Sequence, residues 1–208
     1  MRTLLLLLLA GLFGCSRGGS SAEDAGTAPS GPTLTVEGAT LRYNGQELPL
    51  PGPLETWKAV LGEPSRMVER SRDTSIWDDL GLYAGTRPGR QLIQNLEVIL
   101  NPREPGAEVF KHLPRTTFRG RLLVDGAWVH GGATIQDINR DKRGTSFSRG
   151  YLPRIYHYDF DTRPHPEQYS ERYYYIRIDL NSALRPEDFS IAYVLYDPPP
   201  DGGIPDGG

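Results

Sequence analysis

Glycine and proline occur so often along this chain that long helices have little room to form. The 208 residues include 24 glycines and 18 prolines, together about a fifth of the sequence. Both residues weaken helix interiors, and both are common in turns. We therefore expect many short strands joined by turns, and the sequence predicts an α+β fold that is rich in antiparallel sheet.

Local patterns predict two hairpins and one short amphipathic helix. Asn44-Gly45 and Asp125-Gly126 have the residue types that two-residue hairpin turns favour, because both central positions need a positive φ. Pro53 can begin a helix and Gly62 can end it. The helix is expected near residues 53–61, where the apolar residues recur at helical spacing at Leu54, Trp57, Val60 and Leu61.

Further strands are expected in two groups. The first group lies around Met67–Arg70, Ser75–Trp77, Leu82–Ala84 and Leu92–Leu100, and the second comprises RIYHYDF, YYYIRIDL and FSIAYVLY. The segment NPREPG at 101–106 separates the groups and is a candidate boundary within the globular part. VEGATL at 36–41 resembles VDGAWV at 124–129, which would fit two similar small modules, although shared turn chemistry explains the likeness equally well.

The first residues predict export and lipid attachment. Residues 1–14 form a signal peptide in which the apolar run is about ten residues, roughly 15 Å as a helix, too short for about 30 Å of bilayer hydrocarbon. The run ends in LFGC, which resembles the lipobox of bacterial lipoproteins and would place lipid on Cys15. This is the only cysteine, so it has no disulfide partner within the chain. By the sorting rule known for enteric bacteria, Ser16 directs such a protein to the outer membrane.

Composition also separates the ends from the globular part. Residues 15–32 comprise the lipid-attachment cysteine and a linker with no large apolar residue, and we expect a flexible tether there. Residues 197–208 form a tail rich in proline and glycine that we expect to be disordered. The globular α+β domain is therefore expected at 33–196. The formal net charge of −3 argues against nucleic-acid binding, which requires a basic domain.

One stretch resembles a family that is known only as uncharacterised bacterial lipoproteins and related envelope proteins. The resemblance lies in YNGQELPLPGPLETWKAVLGEPSR at 43–66 and SIWDDLGLYA at 75–84. It implies no activity, because that family has no known function. The helix followed by LGxP and a hairpin is also similar in shape to the small outer-membrane assembly lipoproteins and the β-lactamase-inhibitor-like fold, and a shared fold does not establish a function.

The sharpest chemical hypothesis concerns His157, Asp159 and Asp161. These residues alternate along one predicted strand, so their side chains would lie on one face and could reach a metal ion. The same alternation is expected of any half-buried strand with a wet outer side. A metal site is therefore only a weak candidate here, and no cofactor is expected.

A second candidate surface is a basic segment formed by Arg140, Lys142, Arg143 and Arg149, with Arg154 close by. It begins in DINRDKRG at 137–144, which starts like a calcium loop but lacks the glycine and the final acid that calcium loops need. In an acidic protein such a segment suits an anionic partner, either a lipid headgroup or an acidic glycan. A solvated loop is the commoner outcome for a run of charges.

Tyrosines mark the third candidate surface. Nine of the eleven tyrosines follow residue 150, and Tyr173 and Tyr175 would share one face of a strand. Tyrosine is favoured at binding surfaces but is also a good strand former.

Other chemistries have weaker signals. The neighbouring acids Asp78 and Asp79 fit a turn better than a catalytic pair, because adjacent strand residues point to opposite faces. No nucleophile motif or phosphate loop is present in the sequence. The sequence therefore favours a membrane-anchored, non-catalytic binding module of the cell envelope, whose partner is an envelope protein or an anionic glycan or lipid. The alternatives are an inhibitor or immunity protein against a toxin or envelope hydrolase, and a metal-assisted hydrolase using His157 and Asp159.

Overall fold

The computed structural model describes residues 31–68, 73–86, 92–103, 112–161 and 171–196. Within them the chain forms two β-sheets and two short helices, and the predicted sheet-rich α+β class is confirmed. The helices are α1 (Leu54–Leu61) and α2 (Ile135–Asp141). The strands, in chain order, are β1 (Thr33–Glu37), β2 (Thr40–Tyr43), β3 (Gln46–Glu47), β4 (Gly52–Pro53), β5 (Arg66–Val68), β6 (Thr74–Trp77), β7 (Leu82–Thr86), β8 (Leu92–Ile99), β9 (Arg121–Val124), β10 (Ala127–Val129), β11 (Ser148–Arg149), β12 (Ile155–Asp161), β13 (Glu171–Leu180) and β14 (Pro186–Tyr196).

The first sheet contains both predicted hairpin turns. Its strand order is β10-β9-β1-β2-β3. Asn44-Gly45 joins β2 to β3 with φ values of 51° and 81°, and Asp125-Gly126 joins β9 to β10 with φ values of 46° and 95°. Asn-Gly and Asp-Gly tolerate a positive φ at both positions, whereas most residue pairs do not. These turns are therefore determined by the residues that form them.

Strands β1 and β9 pair in parallel, which the sequence did not predict. Leu34 lies beside Leu122 and Val36 beside Val124. All four side chains are fully buried. The two segments that resemble each other, 36–41 and 124–129, therefore begin at neighbouring positions of one sheet.

Helix α1 begins directly after Pro53 and ends before Gly62, as predicted. Gly62 has a φ of 83°, a backbone conformation that glycine adopts without the steric cost of a side chain. Trp57 is fully buried, and its indole nitrogen donates to the backbone oxygen of Pro49 at 2.9 Å. The apolar face of α1 thus packs on the core through this tryptophan.

The second sheet is larger and packs on the same core. Its strand order is β11-β12-β13-β14-β8-β7-β6-β5, with β4 pairing alongside β8, and all its pairs are antiparallel. The apolar side chains of one face form a single buried cluster with those of the first sheet. We call the opposite face of the second sheet its outer face.

The segment 101–106 was predicted as a candidate boundary. The parts of the chain before and after it each contribute strands to both sheets. Strand β1 pairs with β9 in the first sheet, and β8 pairs with β14 in the second. Each part also has the same element order, a hairpin, a helix and then a run of antiparallel strands. That two similar modules gave rise to this order remains a prediction.

Helix α2 lies where a loop was expected around 137–144. The side-chain oxygen of Thr134 accepts a hydrogen bond from the amide of Asp137 at 3.1 Å, which caps the helix. Ile135 and Ile138 are buried, so one face of α2 packs on the core. In the part of the chain that the structure describes, no helix is long and apolar enough to cross a bilayer.

Candidate functional site

The predicted basic segment contains cations in very different surroundings. Arg140 lies 2.9 Å from Asp137 and 3.0 Å from Asp141, both on its own helix. Arg143 lies 3.4 Å from Glu37 of the first sheet. The charges of these two arginines are therefore balanced by neighbouring carboxylates, which weakens their contribution to binding an anion.

Lys142, predicted to be part of the same exposed surface, is instead buried. Its side chain is 1% exposed, and its Nζ lies 2.7 Å from Oδ2 of Asp125. The ammonium also donates to the backbone oxygens of Arg143 and Thr145, at 3.1 and 2.6 Å. An ammonium has three hydrogens to donate, and all three have acceptors here. Lys142 consequently acts inside the fold and not on an exposed binding surface.

Asp125 connects Lys142 to the second sheet. The hydroxyl of Tyr158 donates to Oδ2 of Asp125 at 2.8 Å, and the Tyr158 ring centre lies 4.0 Å from Nζ of Lys142. Burial acts to raise the pKa of Asp125, but hydrogen bonds from Lys142, the Gly38 amide and Tyr158 outweigh it and lower that pKa. Burial, and then the charge of Asp125, raises the pKa of Tyr158. This cluster is a hydrogen-bonded bridge between the two sheets, with the Asp125 carboxylate at its centre.

An open cleft of about 330 Å³ lies beside the bridge. It is lined by Glu37, Gly38, Asp125, Arg143, Gly144, Thr145 and Tyr158. Its charged side chains already pair, Arg143 with Glu37 and Asp125 with Lys142. A ligand would have to break one of these pairs to gain a charged contact, so the cleft is a weak candidate for a binding site.

Uncompensated positive charge lies at the end of β11 and in the loop that joins it to β12. Arg149 and Arg154 are exposed, and neither has an ion-pair partner among the residues that the structure describes. Between them, Tyr151 is 102% exposed and Leu152 is 54% exposed. An aromatic ring and a leucine that project into solvent between two free arginines form a surface suited to an external partner.

The turn between β13 and β14 lies next to this loop. The amide of Leu180, the last residue of β13, donates to the backbone oxygen of Arg154 at 2.9 Å, so the turn that follows β13 begins beside the loop. Leu184 in this turn is 60% exposed. We call Tyr151, Leu152 and Leu184 the apolar tip of the second sheet.

The outer face brings together the other predicted residues. Asp159 lies beside Tyr175 across β12 and β13, and His157 lies beside Arg177. The rings of His157 and Tyr175 are in contact, with centroids 5.2 Å apart. Tyr173 is two residues from Tyr175 on the same strand, and both tyrosines are half-buried. The predicted histidine, acid and tyrosines therefore form one continuous patch.

The same patch contains the residues considered for a metal. Nδ1 of His157 lies 3.5 Å from Oδ1 of Asp159. The side chain of Asp161 lies outside the described residues. Among the side chains that are described, no group of three or more histidines, cysteines or acids is arranged to hold a metal ion.

Sequence reasoning missed a group of buried charges further along the outer face. Asp188 has a side chain only 1% exposed and forms an ion pair with Arg103. Burial, reinforced by the charge of Asp179 and opposed by Arg103, raises the pKa of Asp188 to about 7. Burial also raises the pKa of Asp179. Alternation along each strand predicts that these side chains lie on the outer face. It does not predict which strands are neighbours, and so it could not show that these charges lie together.

Further polar contacts flank this charged group. Tyr83 donates a hydrogen bond to Glu97 on the adjacent strand, and burial followed by the Glu97 charge raises the pKa of Tyr83. Arg177 lies 3.1 Å from Asp179. Because the Asp188 carboxylate is almost completely buried, its raised pKa is explained by its surroundings and does not require a catalytic role.

The neighbouring acids at 78 and 79 begin a single 3-10 turn, Asp78–Leu80, in keeping with the turn that the sequence favoured. Asp78 accepts hydrogen bonds from Nε of Arg66 at 3.0 Å and from the amide of Arg115 at 2.8 Å, while Asp79 is exposed. The hydrogen bond from Arg66 is the main cause of the lowered pKa of Asp78, and it outweighs the effect of burial. Asp78 therefore holds the turn against the segment that contains Arg115.

Comparison with known proteins identifies one family. The model of a family described as Domain of unknown function (DUF7738) matches residues 33–139. This range covers both predicted hairpins, helix α1 and the first five residues of helix α2. No curated protein and no solved structure shows significant similarity to the chain.

Proposed function

Because the chain belongs to the DUF7738 family of domains of unknown function, we propose a function from its own residues. The protein is a lipid-anchored component of the bacterial cell envelope that acts as a non-catalytic binding module. Lipid on Cys15 holds it at the outer membrane, facing the periplasm. Its ligand, an envelope protein or an anionic glycan, binds on the outer face of the second sheet.

The first residues support the anchor. A charged start, an apolar run too short to span a bilayer and the LFGC sequence precede Cys15. A single cysteine cannot form a disulfide within the chain, so lipid attachment gives it a use in an oxidising compartment. Several acyl chains on one residue would anchor the protein stably, which one acyl chain does not achieve.

The patch formed by His157, Asp159, Tyr173, Tyr175 and Arg177 is the observation that carries the binding function. These side chains lie on the outer face of two neighbouring strands, β12 and β13, in register, and the rings of His157 and Tyr175 are in contact. Tyrosine presents a large rigid surface at a small entropic cost. Arg177 pairs with an acid on its own strand at 3.1 Å, but a guanidinium has five N–H donors, so it retains planar donors for a ligand. Such a platform can stack on a sugar ring or pack against a protein surface.

Two further observations favour binding over catalysis. The three hydrogens of the Lys142 ammonium are taken by acceptors within the fold, so this lysine is not poised as a base or nucleophile. Asp78 and Asp125 are held in their ionised form by hydrogen bonds that fix a turn and bridge the sheets. These ionisable groups stabilise the structure.

Site-specific photocrosslinking in intact cells tests the binding function. A photoreactive aromatic amino acid replaces Tyr175, and the matched control carries it in place of Gln136, which is exposed on helix α2. We expect discrete covalent adducts with an envelope protein or glycan from position 175 and none of these from position 136. Identical adducts from both positions, or none from position 175, would rule out the outer face as the binding site.

A second substitution separates recognition from general stickiness. Arg177→Gln on the protein that carries the photoreactive group should reduce the yield of the same adducts, because a planar donor next to Tyr175 is lost. The Arg119→Gln variant removes an exposed arginine outside the patch and should leave the yield unchanged. Equal effects of the two substitutions would point to bulk charge as the cause.

A further inference from the structure

We propose that the apolar tip and its flanking arginines dock on the surface of an anionic lipid bilayer. The surface consists of Tyr151, Leu152 and Leu184 together with Arg149 and Arg154. This inference rests on the proposed lipid anchor, because the anchor keeps the tip close to a membrane. It adds a second, reversible contact that sets the orientation of the domain.

The distribution of exposed apolar side chains is the first argument. Among the described residues, four large apolar side chains are exposed: Met67, Tyr151, Leu152 and Leu184. Three of the four lie at the same end of the second sheet, in the loop before β12 and in the turn after β13, where a backbone hydrogen bond links the end of β13 to that loop. Isolated exposed apolar residues are common on protein surfaces, but a cluster at one end marks a contact site.

Charge complementarity selects the partner. Arg140 and Arg143 are paired with acids, whereas Arg149 and Arg154 have no ion-pair partner within the described part of the chain. The negative surface of an anionic bilayer attracts such cations, and a tyrosine ring prefers the zone between headgroups and hydrocarbon. Arg149 and Arg154 therefore suit the charged headgroups, and Tyr151 and Leu152 suit the more apolar layer beneath them.

The two connections are already ordered for contact. In the loop, the amide of Gly150 donates to the Ile155 oxygen at 2.8 Å, and the amide of Ile155 donates to the Leu152 oxygen at 3.2 Å. In the turn, Oδ1 of Asn181 accepts from the amides of Ala183 and Arg185, each at 3.0 Å. A preformed surface loses little conformational entropy on docking.

Leu184 has an unusual backbone conformation that supports the same inference. Its φ is 58°, in the left-handed region that a leucine adopts only at a steric cost. Glycine or asparagine would satisfy this turn more easily, and yet the residue present is apolar and 60% exposed. Strain of this kind is often retained where a side chain serves a contact.

The length of chain before β1 permits the contact. Seventeen residues lie between Cys15 and Thr33, and these can span at most about 60 Å. A domain of roughly 160 residues has a radius of gyration of about 15 Å. The anchor therefore does not prevent the apolar tip from turning towards the bilayer.

Vesicle binding by the unlipidated protein tests the inference. The chain from residue 15 onward carries Cys15→Ser, so that no lipid contributes, and is mixed with vesicles that contain phosphatidylglycerol or only phosphatidylcholine. We expect cosedimentation with the anionic vesicles and much weaker binding to the neutral ones. The binding should weaken as salt is added, because the ions screen the arginine contacts.

Two pairs of matched variants test the surface itself. The double variant Arg149→Gln with Arg154→Gln should partition onto anionic vesicles about 30-fold more weakly than the parent protein. This value takes about 1 kcal/mol for each arginine and a tenfold change for each 1.4 kcal/mol. Arg119→Gln with Arg121→Gln changes the net charge equally at exposed positions that precede or begin β9, and should have little effect. Tyr151→Ser should also weaken binding, whereas Met67→Ser, which removes the exposed side chain outside the tip, should not.

Specific results would overturn the inference. These are failure of the Cys15→Ser protein to bind anionic vesicles, equal losses in the variants and their controls, or binding to a soluble anionic polysaccharide without binding to vesicles. The proposed anchor and binding function are tested separately, because acylation of Cys15 and crosslinking from position 175 do not depend on the tip. Circular dichroism and thermal unfolding of each variant verify that the fold is intact.

Discussion

Nζ of Lys142 lies 2.7 Å from Oδ2 of Asp125, and the lysine side chain is 1% exposed. Asp125 lies in the turn between β9 and β10 of the first sheet. Its second partner, Tyr158, belongs to the second sheet. Through Asp125, these two contacts connect the end of helix α2 to both sheets. It also explains why a lysine from a basic segment is withdrawn from the surface.

Loss of one partner from this pair should be strongly destabilising. We expect Lys142→Met to lower the free energy of unfolding by about 3 kcal/mol, because it leaves the Asp125 carboxylate partly buried without its cation. Adding Asp125→Asn should recover part of this loss, since the unpaired charge is then removed. Urea unfolding of the two single variants and the double variant measures the coupling. Additive effects would show that the two side chains do not interact.

Protonation of Asp188 should make stability depend on pH in the weakly acidic range. Its pKa is raised to about 7 in the folded protein, against about 3.9 in an unfolded chain. The unfolded state therefore ionises first, so this group's contribution is complete below about pH 4 and is lost as the pH rises towards 7.

The test is the free energy of unfolding between pH 4 and pH 8 for wild type and for Asp188→Asn. We expect the downward trend with rising pH to become shallower in the variant, because the amide does not titrate. Asp159→Asn removes an exposed carboxylate from the same face and should retain the wild-type trend. If Asp188→Asn leaves the trend unchanged, another group is responsible for it.

Two glycines with similar backbone conformations should respond differently to alanine. Gly38 and Gly81 have φ values of 54° and 68°, so alanine at either position costs about 1–2 kcal/mol. A side-chain carbon at Gly38 would meet nothing within 4 Å, whereas one at Gly81 would lie 2.5 Å from the backbone carbonyl carbon of Thr117. We expect Gly81→Ala to cost at least twice as much as Gly38→Ala in thermal or urea unfolding, and equal costs would contradict the close packing of these segments.

Local chemistry made much of the fold predictable. Asn44-Gly45, Asp125-Gly126 and the segment between Pro53 and Gly62 adopt the predicted turns and helix, because each depends on residues that are adjacent in sequence. The strands predicted near 92–100 and in the last part of the chain are also present. Helix α2 was missed because its charges resembled a loop, although Thr134 and Asp137 form a recognisable cap three residues apart.

The arrangement of the strands depended on distant contacts and was not predictable. Nothing in the sequence places β1 beside β9, or Arg103 beside Asp188, because neither contact has a local cause. For the candidate site, alternation did predict that His157 and Asp159 share a face. It could not distinguish buried Lys142 from exposed Arg149, since that depends on which carboxylate lies nearby.

The most direct test of the account is the chemical state of Cys15 in protein extracted from cell membranes. Intact-mass measurement of the wild type should give a chain that begins at Cys15 and carries diacylglyceryl and N-acyl groups. The Cys15→Ser variant should incorporate no labelled fatty acid. A wild-type chain with an unmodified cysteine, or fatty-acid labelling that persists in Cys15→Ser, would contradict the lipid-anchored module proposed here.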